Sequence, residues 1–264
     1  MRRWAWPTMG SYASLAAAGD PGDRGDLAVR RAQRWFDSVE AALSPWRADS
    51  DLSLWRAGEL DITGASPLLR EVLVDVAELT RVTRGGFNPT DRLGRYDPTG
   101  YVKGWAIQRA VEGLASAGLT DVCLGVGGDL QMVGRAEGGR PWRAAIVDPT
   151  STGRVRAIVE QPDDGSPWAV ATSGTFERGE HIWGALESRG TAQPALLASV
   201  TVVGPQLGRV DAFATAIWAL AGDRPLAQAW NWLPDTGCAA LAVAPDGTLQ
   251  STPGMAAHLV RPAA

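Results

Sequence analysis

Between residues 26 and 118 the apolar side chains of this chain recur at helical spacing, and beyond Gly118 they gather into short β-like runs. That change of period limits the fold more than any other feature. Ala28, Ala32, Trp35, Phe36, Val39 and Leu43 mark a helix over residues 26–43, after the polar loop 20–26, and Ser44-Pro45 ends it. Ser66-Pro67, a cap followed by a first-turn proline, opens a second helix through Leu69, Val72, Leu73, Val76 and Leu79, and Gly85-Gly86 stops it. A third is expected after Lys103, through Trp105, Ile107, Ala110, Val111 and Leu114.

The β-like runs are 121–126, 130–133, 142–147, 155–160, 168–172 and 199–203, separated by Gly, Pro and Asp turns. A fourth helix is expected over 210–221 and a fifth over 225–233; runs 238–244 and 248–251 flank Pro245-Asp246-Gly247 as a hairpin. Helices and strands mix without strict βαβ alternation. The expected class is therefore α+β, a mixed and largely antiparallel sheet with packed helices, in one domain over residues 1–264.

Apolar residues make up 45% of the 264, enough for a substantial core. The net charge is −4 with no basic block, which argues against nucleic acid as a partner. No apolar run approaches the roughly 20 residues that span a bilayer. Residues 1–15 lack an apolar h-region, and neither Cys123 nor Cys238 lies near the N-terminus, so neither a signal peptide nor a lipid anchor is expected. Both cysteines sit in apolar runs, as buried thiols of a reducing compartment do, and the expected location is cytoplasmic. Most of the 12 tryptophans are expected to form core or cleft walls. Lysine and arginine total 25, yet Lys103 is the only lysine. A compact ammonium is needed there, or a tolerant surface site kept it by chance.

Four segments bring together residues able to do chemistry. In the first, Phe87-Asn88-Pro89-Thr90-Asp91 and Asp97-Pro98-Thr99-Gly100-Tyr101-Val102-Lys103-Gly104 form a compact loop before a helix. This suits an anion at a helix N-terminus, and equally an ordinary capped turn. Gly125-Val126-Gly127-Gly128-Asp129 lets backbone approach a ligand or makes a type I′ hairpin. A small-residue loop from Ala171 to Gly174 leads to His181, an acid–base candidate or a surface histidine. Asp211 and Thr215, four apart, share a helix face and offer hard oxygen donors to Mg²⁺; the alternative is an aspartate N-cap with an unrelated threonine. No P-loop, zinc pattern or Gly-x-Ser-x-Gly is present.

In order and spacing these segments resemble the ApbE-type FAD:protein FMN transferases. Thr8-Met9-Gly10 is similar to the family's Met-Gly-Thr opening, and residues 44–53 to its Phe-Arg-x-x-Ser-Glu-Leu-Ser. Gly86-Phe87-Asn88-Pro89-Thr90 resembles Gly-x-Phe-Asp-Pro-Thr, and residues 97–104 resemble Asp-Leu-Gly-Gly-Ile-Ala-Lys-Gly, with Lys103 on the family's lysine. Gly127-Gly128-Asp129, the Ser173 loop, and Asp211 with Thr215 follow in family order.

The resemblance implies a Mg²⁺-dependent enzyme that splits FAD, attaches FMN to a threonine of an acceptor flavoprotein and releases AMP. It implies that Met9, Gly10, Phe87, Asn88, Asp97, Lys103, Gly127, Gly128, Asp129 and Ser173 hold FAD. The Gly100 carbonyl, Asp211 and Thr215 would hold Mg²⁺, with His181 and Asp211 in catalysis. Gly184 and Ala185 stand where the family has Asp and Pro after the histidine, and Gln108 where it often has Asp. An FAD pyrophosphatase, or a flavin-binding protein without catalysis, would use the same site.

Overall fold

The computed structural model describes residues 1–91, 93–151, 153–174 and 197–260. Eight strands form one antiparallel sheet. In spatial order they are β1 (Arg2–Thr8), β2 (Ser11–Ala17), β3 (Val122–Val126), β4 (Asp129–Val133), β7 (Trp168–Gly174), β8 (Ser199–Gly204), β9 (Ala239–Val243) and β10 (Leu249–Ser251). Between β4 and β7 the chain makes a separate antiparallel ribbon, β5 (Arg143–Val147) with β6 (Val155–Glu160). The helices are α1 (Gly22–Leu43), α2 (Asp51–Ala57), α3 (Pro67–Val82), α4 (Thr99–Ser116), α5 (Leu207–Ala221) and the single turn α6 (Leu226–Ala229). This is the expected α+β architecture.

Side chains alternate across the sheet, so each strand feeds two cores. Ala169, Ala171, Val200, Val202, Ala240 and Ala242 pack with α1, α3, α4 and α5. Met132, Val170, Val203 and Leu241 face the other way and meet Ile146 and Val159 of the ribbon. Trp35 fixes α1 on α4: its indole N–H donates to the Ala106 carbonyl at 2.9 Å, and its ring lies 5.4 Å from that of Trp105. Trp6, Trp105, Trp142, Trp168, Trp230 and Trp232 are buried as expected, whereas Trp46 is exposed.

Two expectations are corrected, and two elements carry no periodic signal in the sequence. Residues 2–17 form the hairpin β1–β2, which short alternation around a two-residue turn left unmarked; Trp6 and, across the turn, Ala13, Leu15 and Ala17 are its buried side chains. Helix α4 starts at Thr99, before Lys103, which therefore sits inside the helix. The helix expected over 225–233 shrinks to α6, because the chain turns at Trp230 and Pro234 starts a separate short turn. The α2 turn was also unmarked; Ser50 caps it by accepting from the Ser53 N–H at 3.1 Å.

Candidate active site at one end of the sheet

Two hairpin turns lie side by side at one end of the sheet. Met9 and Gly10, between Thr8 and its partner Ser11, have φ of 50° and 69°; Gly127 and Gly128, between Val126 and Asp129, have 56° and 89°. Two successive positive φ values are the signature of type I′ turns, whose twist matches the strands. Ala13 pairs with Val126, so β2 and β3 bring the turns together, and a Cβ on Gly127 would meet Ser11 Oγ at 3.5 Å. Met9 is one of two non-glycine residues with positive φ among the described residues. Its strain is held by Glu40 of α1, whose carboxylate accepts from the Met9 N–H and lies 3.5 Å from the Thr8 hydroxyl. No local motif marks Glu40; only the packing of α1 along β1 reveals it.

The third strand end is that of β7. Ser173 points to the helix side, with its hydroxyl 3.2 Å from that of Thr215. Asp129 is buried, and one of its oxygens accepts from the Thr172 N–H at 3.2 Å. The other forms an ion pair with Lys103. Lys103 Nζ also lies 3.9 Å from Asp211 Oδ2, so a single ammonium stands between two buried carboxylates.

Glycines allow α4 and α5 to cross closely. A Cβ on Gly104 would meet the Leu207 carbonyl oxygen at 2.6 Å and Asp211 Cβ at 2.9 Å; one on Gly208 would meet Trp105 Cα at 3.2 Å. At the crossing the Gly104 N–H donates to Asp211 Oδ2 at 3.2 Å. One turn further, Thr215 faces Gly100: a Cβ there would meet Thr215 Oγ1 at 3.3 Å and Phe87 Cε2 at 3.2 Å. Phe87 is buried, its N–H held by the Thr83 hydroxyl at 2.9 Å, while Asn88 is exposed. Asp97 accepts from the Thr99 N–H at 3.0 Å, a local turn across Pro98 that leads the chain into α4. Gln108, at the family's Asp position, accepts from the Gly208 N–H at 3.3 Å with its side-chain oxygen. An acceptor for the start of α5 is thus retained without the charge.

Most of the residues singled out in sequence therefore converge: Met9 and Gly10 beside Gly127 and Gly128, then Asp129, Lys103, Asp211, Thr215, Ser173, Gly100 and Phe87. His181 lies outside the described residues. The oxygen groups gathered near Gly100 are the Asp211 carboxylate and the hydroxyls of Thr215 and Ser173. Among the described residues, no group of three or more His, Cys, Asp or Glu side chains could hold a metal ion. Such an oxygen set fits Mg²⁺, which favours hard donors and keeps part of its water shell, and does not fit zinc.

Other titratable groups near this core are silent. Burial, then the hydrogen bond from Tyr101 to Asp75 at 2.6 Å, pushes the Tyr101 phenol far above its ordinary value. Burial pushes the Cys123 thiol up to about 12 and raises that of Cys238. Neither thiol is poised as a nucleophile.

Fold and site together place strand-end turns beside a charged helix crossing at one end of the sheet, an arrangement suited to an anionic ligand and a hard cation. Residues 92–239, more than half of the chain, match the sequence profile of the ApbE family, and the chain belongs to that family. An FAD:protein FMN transferase of Rhodobacter capsulatus is 32% identical over 275 aligned positions, covering 97% of this chain and 50% of that protein. One of Vibrio cholerae is 30% identical over 134 positions, covering 48% of this chain and 39% of its own length. The chain thus spans half or less of the length of these relatives. The fold matches that of the Pseudomonas stutzeri flavinyl transferase ApbE, with TM-score 0.79, 20% identity and coverage of 98% of this chain and 97% of that one. It also matches the ApbE protein of Thermotoga maritima, with TM-score 0.80, 17% identity and coverage of 98% and 99%. Among the described residues no helix is long and apolar enough to cross a membrane.

Proposed function

We propose that this protein is a Mg²⁺-dependent FAD:protein FMN transferase that moves FMN from FAD onto a threonine hydroxyl of an acceptor flavoprotein and releases AMP. The observation that carries the reading is the crossing of α4 and α5. It gathers Asp211, Thr215, Gly100 and Lys103 beside Asp129 in a chain of the ApbE family. The relatives named for this activity support the reaction class.

In this reading the acceptor oxygen bonds to the FMN phosphorus, the bond from that phosphorus to the AMP oxygen breaks, and the hydroxyl proton leaves to a base. His181 is the candidate base, matched by sequence alone. Asp211, Thr215 and the Gly100 carbonyl are the candidate Mg²⁺ ligands, and Mg²⁺ bound there would neutralise charge on the phosphates. Lys103 keeps positive charge at the same spot and holds Asp129 against β7. Met9, Gly10, Gly127 and Gly128 offer backbone to the flavin nucleotide, and Phe87 and Ser173 close the wall behind it. Asp97 shapes the start of α4, and Asn88 stands exposed beside it for contact with FAD.

The test is AMP release from FAD with Mg²⁺ or EDTA, with and without a threonine-bearing acceptor flavoprotein. Mg²⁺-dependent AMP matched by covalent flavin on the acceptor is the expected result. AMP with only free FMN would mean a pyrophosphatase using the same metal centre. Bound FAD without AMP would leave a flavin-binding protein and overturn the enzyme reading.

A further inference from the structure

We propose that Gln131 is a positioning residue for this site: its single side-chain amide fixes the height of α5 against β4 and β7, and so sets where Asp211 and Thr215 stand. The inference rests on the reading of Asp211 and Thr215 as cation ligands.

Gln131 follows Asp129 by two residues on β4, so both side chains point to the helix face of the sheet. It is 2% exposed, at a position where an apolar residue would ordinarily pack. A buried amide persists only with partners for its donors and its acceptor. Gln131 has them from two directions. Its Nε2 donates to the Trp168 carbonyl on β7 at 3.2 Å and to the Pro205 carbonyl at 3.2 Å. Its Oε1 accepts from the Leu207 N–H at 2.9 Å. Leu207 is the first residue of α5, and Gln206 before it makes no capping bond of its own. Leu207 is fully buried, so its N–H would otherwise be unpaired at that end.

One amide therefore ties together the strand that carries Asp129, the strand that carries Ser173 and the helix that carries Asp211 and Thr215. Asp211 stands about one turn beyond Leu207 and Thr215 one turn further. Helix residues are rigidly linked, so a shift of α5 along its axis moves both oxygen donors together. Such a shift also lengthens the 3.2 Å bond from the Gly104 N–H to Asp211. Gln108 holds the next N–H, that of Gly208, at the longer distance of 3.3 Å, so loss of Gln131 leaves a second anchor and a folded chain.

The test uses the whole chain with Gln131→Met and Gln131→Glu. Mn²⁺ binding is titrated by calorimetry, FAD binding is measured in EDTA, and the Gly104 amide is followed by ¹⁵N–¹H correlation spectra. For Gln131→Met the expectation is native circular dichroism, roughly tenfold weaker Mn²⁺ binding, FAD affinity within about twofold, and a displaced Gly104 resonance. Glutamate keeps the acceptor and, when protonated, one donor. Gln131→Glu should thus bind Mn²⁺ almost like the wild type at pH 6 and weakly at pH 8.5, because burial raises its pKa and its ionised form faces two carbonyls. A purely structural role would lower stability without this pH-dependent loss of affinity.

Wild-type Mn²⁺ affinity and an unmoved Gly104 resonance in folded Gln131→Met would overturn the proposal. If the Met variant does not fold, the two pH values of the Glu variant decide it, and equal affinity at both would overturn it. A wild-type chain that binds no Mn²⁺, while Gly104 still moves in Gln131→Met, would sink the metal reading and leave the positioning role standing.

Discussion

Helices α1 and α3 send their polar groups outward, whereas α4 and α5 turn theirs against each other. α1 buries Ala28, Ala32, Phe36, Val39 and Leu43 along one stripe, and α3 buries Leu69, Val72, Val76 and Leu79. Their opposite faces meet solvent, to the point that Val74 is 71% exposed. α5 is buried along nearly its whole length, Asp211 included. Solvent accepts almost any residue on an outer face. A carboxylate in the interior survives only with hydrogen bonds and a counter-charge, which Asp211 finds in the Gly104 N–H and near Lys103. The contrast teaches that polar residues of the second pair are held there by specific partners, and it makes them the place to look for chemistry.

The strongest way to break this contrast is Asp211→Ala. Turnover in Mg²⁺ should fall by at least about a hundredfold, the scale for losing a group that stabilises charge in the transition state. The thermal midpoint should change by only a few degrees, since one of two neighbouring carboxylates is removed and Lys103 keeps Asp129. Steady-state AMP release and a melting curve together check it, and turnover within threefold of the wild type would sink the assignment. Next comes Gly104→Ala. Its Cβ would stand 2.6 Å from the Leu207 carbonyl oxygen, an atom that moves only with the backbone of α5. The expected cost is about 1–3 kcal/mol in urea unfolding; wild-type stability would show that the crossing is looser than its geometry. The smallest effect belongs to the outer pair. Val74→Gln on α3 should alter stability by no more than about 0.5 kcal/mol and leave turnover alone. A loss larger than that of Gly104→Ala would reverse the contrast.

Local pattern was enough where the local environment is simple. The stripes of α1 and α3 were readable because each helix has one wet and one dry face, and Ser66-Pro67 marks the start of α3 before any packing is known. The Gly127-Gly128 turn was readable because paired glycines tolerate positive φ. The Met9 turn was less so: methionine has no preference for that conformation, and Glu40, 31 residues away in sequence, stabilises it. The start of α4 is hidden in the sequence because Pro98 opens it without a side-chain cap, Asp97 reaches only the Thr99 N–H across that one residue, and Gly100 gives no helical signal of its own.

The α+β class, the outer helices and most strands follow from residue pattern alone, and the order of the motifs picks out the candidate site residues. The tertiary structure decided how those residues meet. Lys103 reaches Asp129 from another element, Thr215 faces Gly100, and Ser173 reaches Thr215 over 42 positions of chain. Periodicity reports only which face of an element is dry. The distance between groups on different elements depends on how closely the helices and sheet can pack, and here the glycines at the α4–α5 crossing set that limit.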